Sequence, residues 1–108
     1  SIIMAWLYLL AAGLFEIGWA VGLRHSDGFS RLWPSCWTLV CMLASLVLLG
    51  LALRELPLGS AYAVWVGIGI VGTLIAGILL WQEPVSLVRL TSVGCIVIGI
   101  VGVKVSSV

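Results

Sequence analysis

Met4 to Leu23 reads MAWLYLLAAGLFEIGWAVGL, twenty residues with one charged side chain, Glu16. At about 1.5 Å of rise per residue, such a run crosses a hydrocarbon core of about 30 Å. A carboxylate at that depth costs at least about 2.5 kcal/mol on insertion scales, so its position alone makes Glu16 a candidate functional group. The competing reading is a structural carboxyl, kept neutral and hydrogen-bonded to a neighbouring helix. The functional reading is preferred because no other acid falls inside a predicted span.

The rest of the chain extends the pattern. Only 8% of its 108 residues are charged, against about 25% in soluble domains, and 63% are hydrophobic. The chain is therefore an all-α integral membrane protein with short loops. It reads as a single four-helix membrane domain, 1–108, with spans at about 4–23, 33–53, 58–81 and 85–104. Polar turn clusters punctuate these spans: Arg24 to Gly28, Arg54 to Pro57, and Gln82 to Pro84. Pro34 suits the first turn of span two. Transmembrane strands are excluded because the runs are continuous and too long. The first run lacks a basic flank and exceeds the apolar core of a signal peptide. A net charge of +1 argues against nucleic-acid binding. Cys36, Cys41 and Cys95 show no metal-ligand or disulfide-framework spacing and read as small buried hydrophobes. No metal or cofactor is expected. With His25 in a loop and no nucleophile–base set, neither is enzymatic chemistry.

Four spans put both termini and loop two on one side of the membrane, with Arg54 and Lys104. Loops one and three lie on the other side, with Arg24, Arg31 and Arg89. Three against two is almost no positive-inside bias. Insertion in both orientations and insertion in one, decided by Arg24 and Arg31, are equally open on this count. Four helices enclose little by themselves. Two copies in opposite orientation would bring two Glu16 side chains together near the midplane, the symmetry that larger transporters reach with inverted repeats.

The helical neighbours of Glu16 are Ala12, Gly13, Trp19 and Ala20. The small residues admit a close helix or ligand, and Trp19 sets an indole N–H one turn away. An interfacial anchor is the alternative for Trp19, at a depth unusual for one. In span three, Tyr62, Trp65 and Gly69 share a face, offering a hydroxyl and a ring suited to cation–π contact. Gly67, Gly69 and Gly72 permit either close packing or a bend. Ser45 is the hydroxyl near the centre of span two, either a site residue or bonded to its own helix. Span four has Gly94, Gly99 and Gly102 among Val and Ile, a composition suited to helix association. Asp27, Glu55 and Glu83 read as solvated loop charges.

The segments GLFEIGWA (13–20), DGFSRLWPS (27–35) and LPLGSAYAVWVGIG (56–69), with the glycine-rich last span, resemble the small multidrug resistance family of transporters. The resemblance runs from Met4 to about Ser107. It implies an antiparallel, dual-topology homodimer in the bacterial inner (cytoplasmic) membrane. That dimer would exchange protons for a small cationic substrate by alternating access. It implies that Glu16 is the shared proton and substrate site, that Tyr62 and Trp65 line it, and that Gly67-Ile68-Gly69 bends. Span four, with Gly94 and Gly99, would be the dimerisation helix.

Gly13, Glu16, Trp19, Ser45, Tyr62 and Trp65 together are similar to the guanidinium-exporter branch, in which the Trp and Ser hydrogen-bond the central carboxylates. A planar guanidinium, with its fixed fork of donors, suits such a carboxylate pair. Thr73-Leu74-Ile75-Ala76, Cys36 and Cys95 are assigned to neither branch. Two other functions compete: a broader exporter of hydrophobic quaternary ammonium ions, as in drug resistance, and an assembly or regulatory subunit whose Glu16 pairs with a larger partner. Transport by the purified chain in liposomes, with a panel of cations, separates the three.

Overall fold

The computed structural model describes residues 1–106; residues 107 and 108, the end of the expected 1–108 unit, lie outside the described residues. The described chain forms four helices: α1 (Ile2–His25), α2 (Leu32–Ala52), α3 (Leu58–Trp81) and α4 (Leu87–Ser106). All four are long and apolar enough to cross a membrane.

Local chemistry sets the ends. α1 starts earlier and ends later than the hydropathy of its centre suggests. Ser1 accepts a hydrogen bond from the Met4 N–H at 3.2 Å, and Arg24 and His25 fill the last turn, where cations favour the helix dipole. α4 begins at Leu87 rather than 85. Pro84 disfavours helix at the residue before it, and Ser86 Oγ accepts from the Arg89 N–H at 3.1 Å. α3 closes at Gln82, which adopts the left-handed conformation while the Glu83 N–H bonds the Gly77 carbonyl at 3.2 Å. The first loop turns through three positive-φ residues, Asp27, Gly28 and Phe29. The buried Ser26 holds it, donating to the Leu23 carbonyl and accepting from the Phe29 N–H.

The helices run up-down-up-down. Contacts at the ends place both termini and loop two together: the N-terminal amine lies 4.0 Å from Glu55, and Lys104 sits 4.8 Å over the Trp6 ring. At the opposite end, Arg24 and His25 meet Trp81. α1 is the hub, packed on α2 along one side and on α3 along another, while α4 packs against α3. The core lies where α1, α2 and α3 meet, around Ala5, Leu9, Ala12, Leu49, Ala61 and Trp65.

Glycine sets the spacing of α1 against both neighbours. Trp37 crosses Gly18 and Gly22 and donates its indole N–H to the Gly18 carbonyl at 3.0 Å. On the α3 side, Ile17 presses into Gly72 and Ile68 into Gly13. The result is a slab of 42 × 35 × 17 Å, short in one dimension, with no residue of α4 buried. Cys41 is buried in the α1–α2 seam. Cys36 and Cys95 are exposed on outer faces, unlike the buried role expected of them.

This packing sorts glycine substitutions. A Cβ on Gly72 would overlap Ile17, whereas one on Gly50 meets nothing within 4 Å. Gly72→Val should destabilise by about 1–3 kcal/mol through overpacking. Gly50→Ala should be neutral or stabilise by up to about 1 kcal/mol through helix propensity. Unfolding midpoints in detergent micelles check both.

Candidate functional site

Glu16 sits two-thirds along α1, on the face turned to α3. Its carboxylate lies directly on Gly69, so a Cβ there would overlap it. Three contacts therefore interlock the two helices in register: Ile68 on Gly13, Glu16 on Gly69, and Ile17 on Gly72. The spacing of small residues in the sequence is legible here as a docking surface for the carboxylate and its neighbours.

The polar inventory of this interface is incomplete. Glu16 Oε1 is buried and has no hydrogen-bond partner; Trp19 Nε1, one turn on, is buried and unpartnered as well. A buried group without a partner costs about 1–3 kcal/mol, and more where it is charged. An acceptor lacking a donor and a donor lacking an acceptor thus lie three residues apart on one helix. The Trp19 N–H therefore does not bond the Glu16 carboxylate, contrary to the expectation for the guanidinium-exporter branch.

Ser45 is also placed differently from the expectation that it donates to Glu16. Its hydroxyl is fully buried and donates to the Ala12 carbonyl at 2.7 Å, while Trp65 Nε1 donates to Ser45 Oγ at 3.0 Å. The reason is register. α2 crosses α1 at Ala12, one turn before Glu16, so the Ser45 side chain meets backbone there. Ser45 consequently works as a relay, tying the indole of α3 to the backbone of α1 through α2.

Tyr62 and Trp65 are paired as the face-sharing pattern suggests, with ring centroids 5.4 Å apart and a tilt of 54°. They differ in access: Trp65 is buried, whereas half of Tyr62 is exposed. α3 runs as one unbroken helix through Gly67 and Gly69 in this structure. Gly67 faces Ile100 of α4, so both glycines sit at helix contacts, one on the α4 side and one on the Glu16 side. Gly94 and Gly99, five residues apart on α4, each have nothing within 4 Å of the Cβ position.

One residue of the neighbourhood was not singled out as a site residue. Thr73 Oγ1 donates to the Gly69 carbonyl at 2.7 Å. It caps the backbone of the residue that carries the Glu16 carboxylate. A hydroxyl four residues after a candidate bend glycine is the signal that could have found it. Among the described residues, no group of three His, Cys, Asp or Glu side chains is arranged to hold a metal ion.

Comparison with known proteins adds a second line. The family model described as Small Multidrug Resistance protein matches residues 4–98. A protein of Yersinia pseudotuberculosis named Guanidinium exporter is 57% identical over 104 residues, covering 96% of this chain and all of that protein. Proteins of the same name from Citrobacter freundii and Salmonella typhimurium are 53% and 54% identical, again over 96% of this chain and 99% of theirs.

The Ser45 relay predicts an asymmetric cost. Ser45→Ala removes the acceptor of a buried indole N–H and should destabilise by about 1–3 kcal/mol. The Ala12 carbonyl still has its own helix. An unfolding titration in micelles, with tryptophan emission as a second probe, checks this. An unchanged midpoint would mean that Trp65 finds another acceptor.

Proposed function

The chain belongs to the small multidrug resistance family, and from that premise we propose a proton-coupled antiporter that exports guanidinium and small substituted guanidinium-type cations. It is a multi-pass inner-membrane transport protein. Protons and substrate share Glu16, and the chain is not an enzyme. The observation that carries the mechanism is the buried, unpartnered Oε1 of Glu16 on an apolar helix, with the unpartnered Trp19 N–H beside it. The near full-length identity to guanidinium exporters supports the choice of cation.

The working unit is an antiparallel, dual-topology homodimer. The described helices form a slab 17 Å thick, and α4 has no buried residue, so a second copy supplies the remaining walls. The near-equal distribution of basic residues favours neither insertion. Gly94 and Gly99 leave α4 with two small, uncovered positions, on different sides of the helix, where a partner helix can approach.

In that dimer each Glu16 is neutralised either by a proton or by the cation. Because the same carboxylates serve both, entry of one releases the other, which is exchange. Trp19 donates to the occupied carboxylate, Tyr62 and Trp65 form the aromatic wall, and Ser45 fixes Trp65. Gly13 keeps α3 close to α1. Gly67 and Gly69 are the positions at which α3 bends between inward-open and outward-open states, with Thr73 retaining the Gly69 carbonyl as the helix opens.

Glu16→Gln should reduce proton-driven guanidinium uptake in liposomes to that of protein-free vesicles. Retained uptake would remove Glu16 from the mechanism. In the wild type, apparent guanidinium affinity should fall as pH is lowered, by up to about tenfold per pH unit for each proton displaced. A flat profile would show separate sites.

Trp19→Phe keeps a ring and loses the donor. Guanidinium transport should drop by about tenfold or more, the scale of a hydrogen bond to a charged group. Transport of a quaternary ammonium ion, which brings no N–H donors to the carboxylate, should change less. An equal fall for both would make Trp19 a packing residue only.

A further inference from the structure

A second carboxylate of this chain already binds a guanidinium. The loop position of Glu83 suggests a solvated charge, but its side chain folds back onto α3, where a Cβ on Gly77 would come within 2.6 Å of Oε1. Arg89 Nη2 donates to that Oε1 at 2.6 Å, and Nη1 donates to the Pro84 carbonyl at 3.2 Å. Both side chains are about one-third exposed.

Beside this pair lies a cavity of about 140 Å³ between the ends of α1 and α3. Its walls include Ala20, Thr73, Gly77, Trp81 and Glu83. Ala20 is one turn beyond Glu16 on α1, and Thr73 is one turn beyond Gly69 on α3. Gly69, which carries the Glu16 carboxylate, and Gly77, which carries that of Glu83, are separated by about 12 Å at a rise of about 1.5 Å per residue. The cavity thus begins one turn beyond Glu16 and Gly69 and reaches Glu83, with Arg24 also in its wall. A second guanidinium of the chain is also docked here: the Arg24 head group stacks 4.7 Å from the centroid of Trp81. One mouth of the α1–α3 crevice therefore presents both surfaces that recognise a planar cation, a carboxylate and an indole face, each holding an arginine.

We propose that Glu83 is a second, peripheral site for guanidinium-type cations, at the loop end of the α1–α3 crevice, and that Arg89 is its resident competitor. The cation displaces the Arg89 head group from Oε1, and Arg89 reclaims the carboxylate as the cation leaves, so the site binds weakly and empties readily. In an antiparallel dimer, each face of the membrane would carry one such mouth. This assignment rests on guanidinium being the cargo.

The test is guanidinium binding in lipid nanodiscs, in a Glu16→Gln background that removes the central carboxylate. Adding Arg89→Gln should tighten guanidinium binding by about fivefold, the scale of a partly exposed ion pair. Adding Glu83→Gln should remove that gain, and tetramethylammonium should show none. No tightening with Arg89→Gln, or a gain that survives Glu83→Gln, overturns the proposal.

With Glu16 intact, Glu83→Gln and Arg89→Gln should have different effects on the guanidinium concentration dependence of transport. An identical loss from both would make the pair a clamp between α3 and α4, and would also overturn the proposal. Uptake by the Glu16→Gln protein in liposomes is read separately. Failure of the central-site mechanism is therefore distinguishable from failure of the peripheral one.

Discussion

Where a chain in hydrocarbon carries a carboxylate, the neighbouring helix has to give it room without giving it a permanent partner. That constraint organises this protein. Gly69 supplies room by having no side chain, and its own carbonyl is taken by Thr73, so the backbone beneath Glu16 is satisfied while the carboxylate oxygen is not. A lysine or arginine opposite this buried oxygen would give it a resident partner, as Arg89 gives Glu83. The glycines at 13 and 72 extend the same arrangement, because Ile68 and Ile17 can enter α1 and α3 only where the facing residue is small. Close packing and an open valence on the acid are consequences of one pattern.

A rigid frame stands behind this unsatisfied site. The chain of hydrogen bonds from Trp65 to Ser45 to the Ala12 carbonyl ties three helices together one turn from Glu16. In low dielectric such a fully paired chain is strong, and its geometry is narrow. It holds the aromatic wall still while leaving Glu16 outside the network. Fully satisfied polar groups thus stand next to an unsatisfied acid, which on the proposed mechanism separates structure from exchange.

Much of the fold was legible in the sequence because span, loop and side are one-dimensional properties. The third span matches α3 residue for residue, and the others differ by one or two residues at each end, where caps rather than hydropathy decide. Glu16 was legible for the same reason: its anomaly is one of depth. The partners of Ser45 were not, because they depend on where α2 crosses α1, a rotation and a register that hydropathy does not encode. Glu83 failed differently. A charge in a loop reads as solvated until Pro84 delays α4 and the turn brings Arg89 back onto it. The face shared by Tyr62 and Trp65 was readable from spacing, yet their unequal burial was not, since it is set by the position of Leu9, Ala12 and Ser45 on other helices.

The slab explains why so small a chain can be a transporter. α1, with its acid, packs on both α2 and α3, and α4 hangs from α3 through contacts such as Ile100 on Gly67. Gly67 and Gly69 therefore join two different interfaces within one turn of α3. A change of angle at that turn would move the wall that faces Glu16 relative to the wall that faces α4. If α4 is anchored to a partner, the motion falls on the Glu16 side, where the contacts are a glycine, a carboxylate and two isoleucines rather than a hydrogen-bonded core. The Trp65–Ser45–Ala12 tie lies below the turn and stays with α1 and α2. On the proposed mechanism, the least constrained part of the bundle is the part that has to open, beside the acid that the cation has to reach.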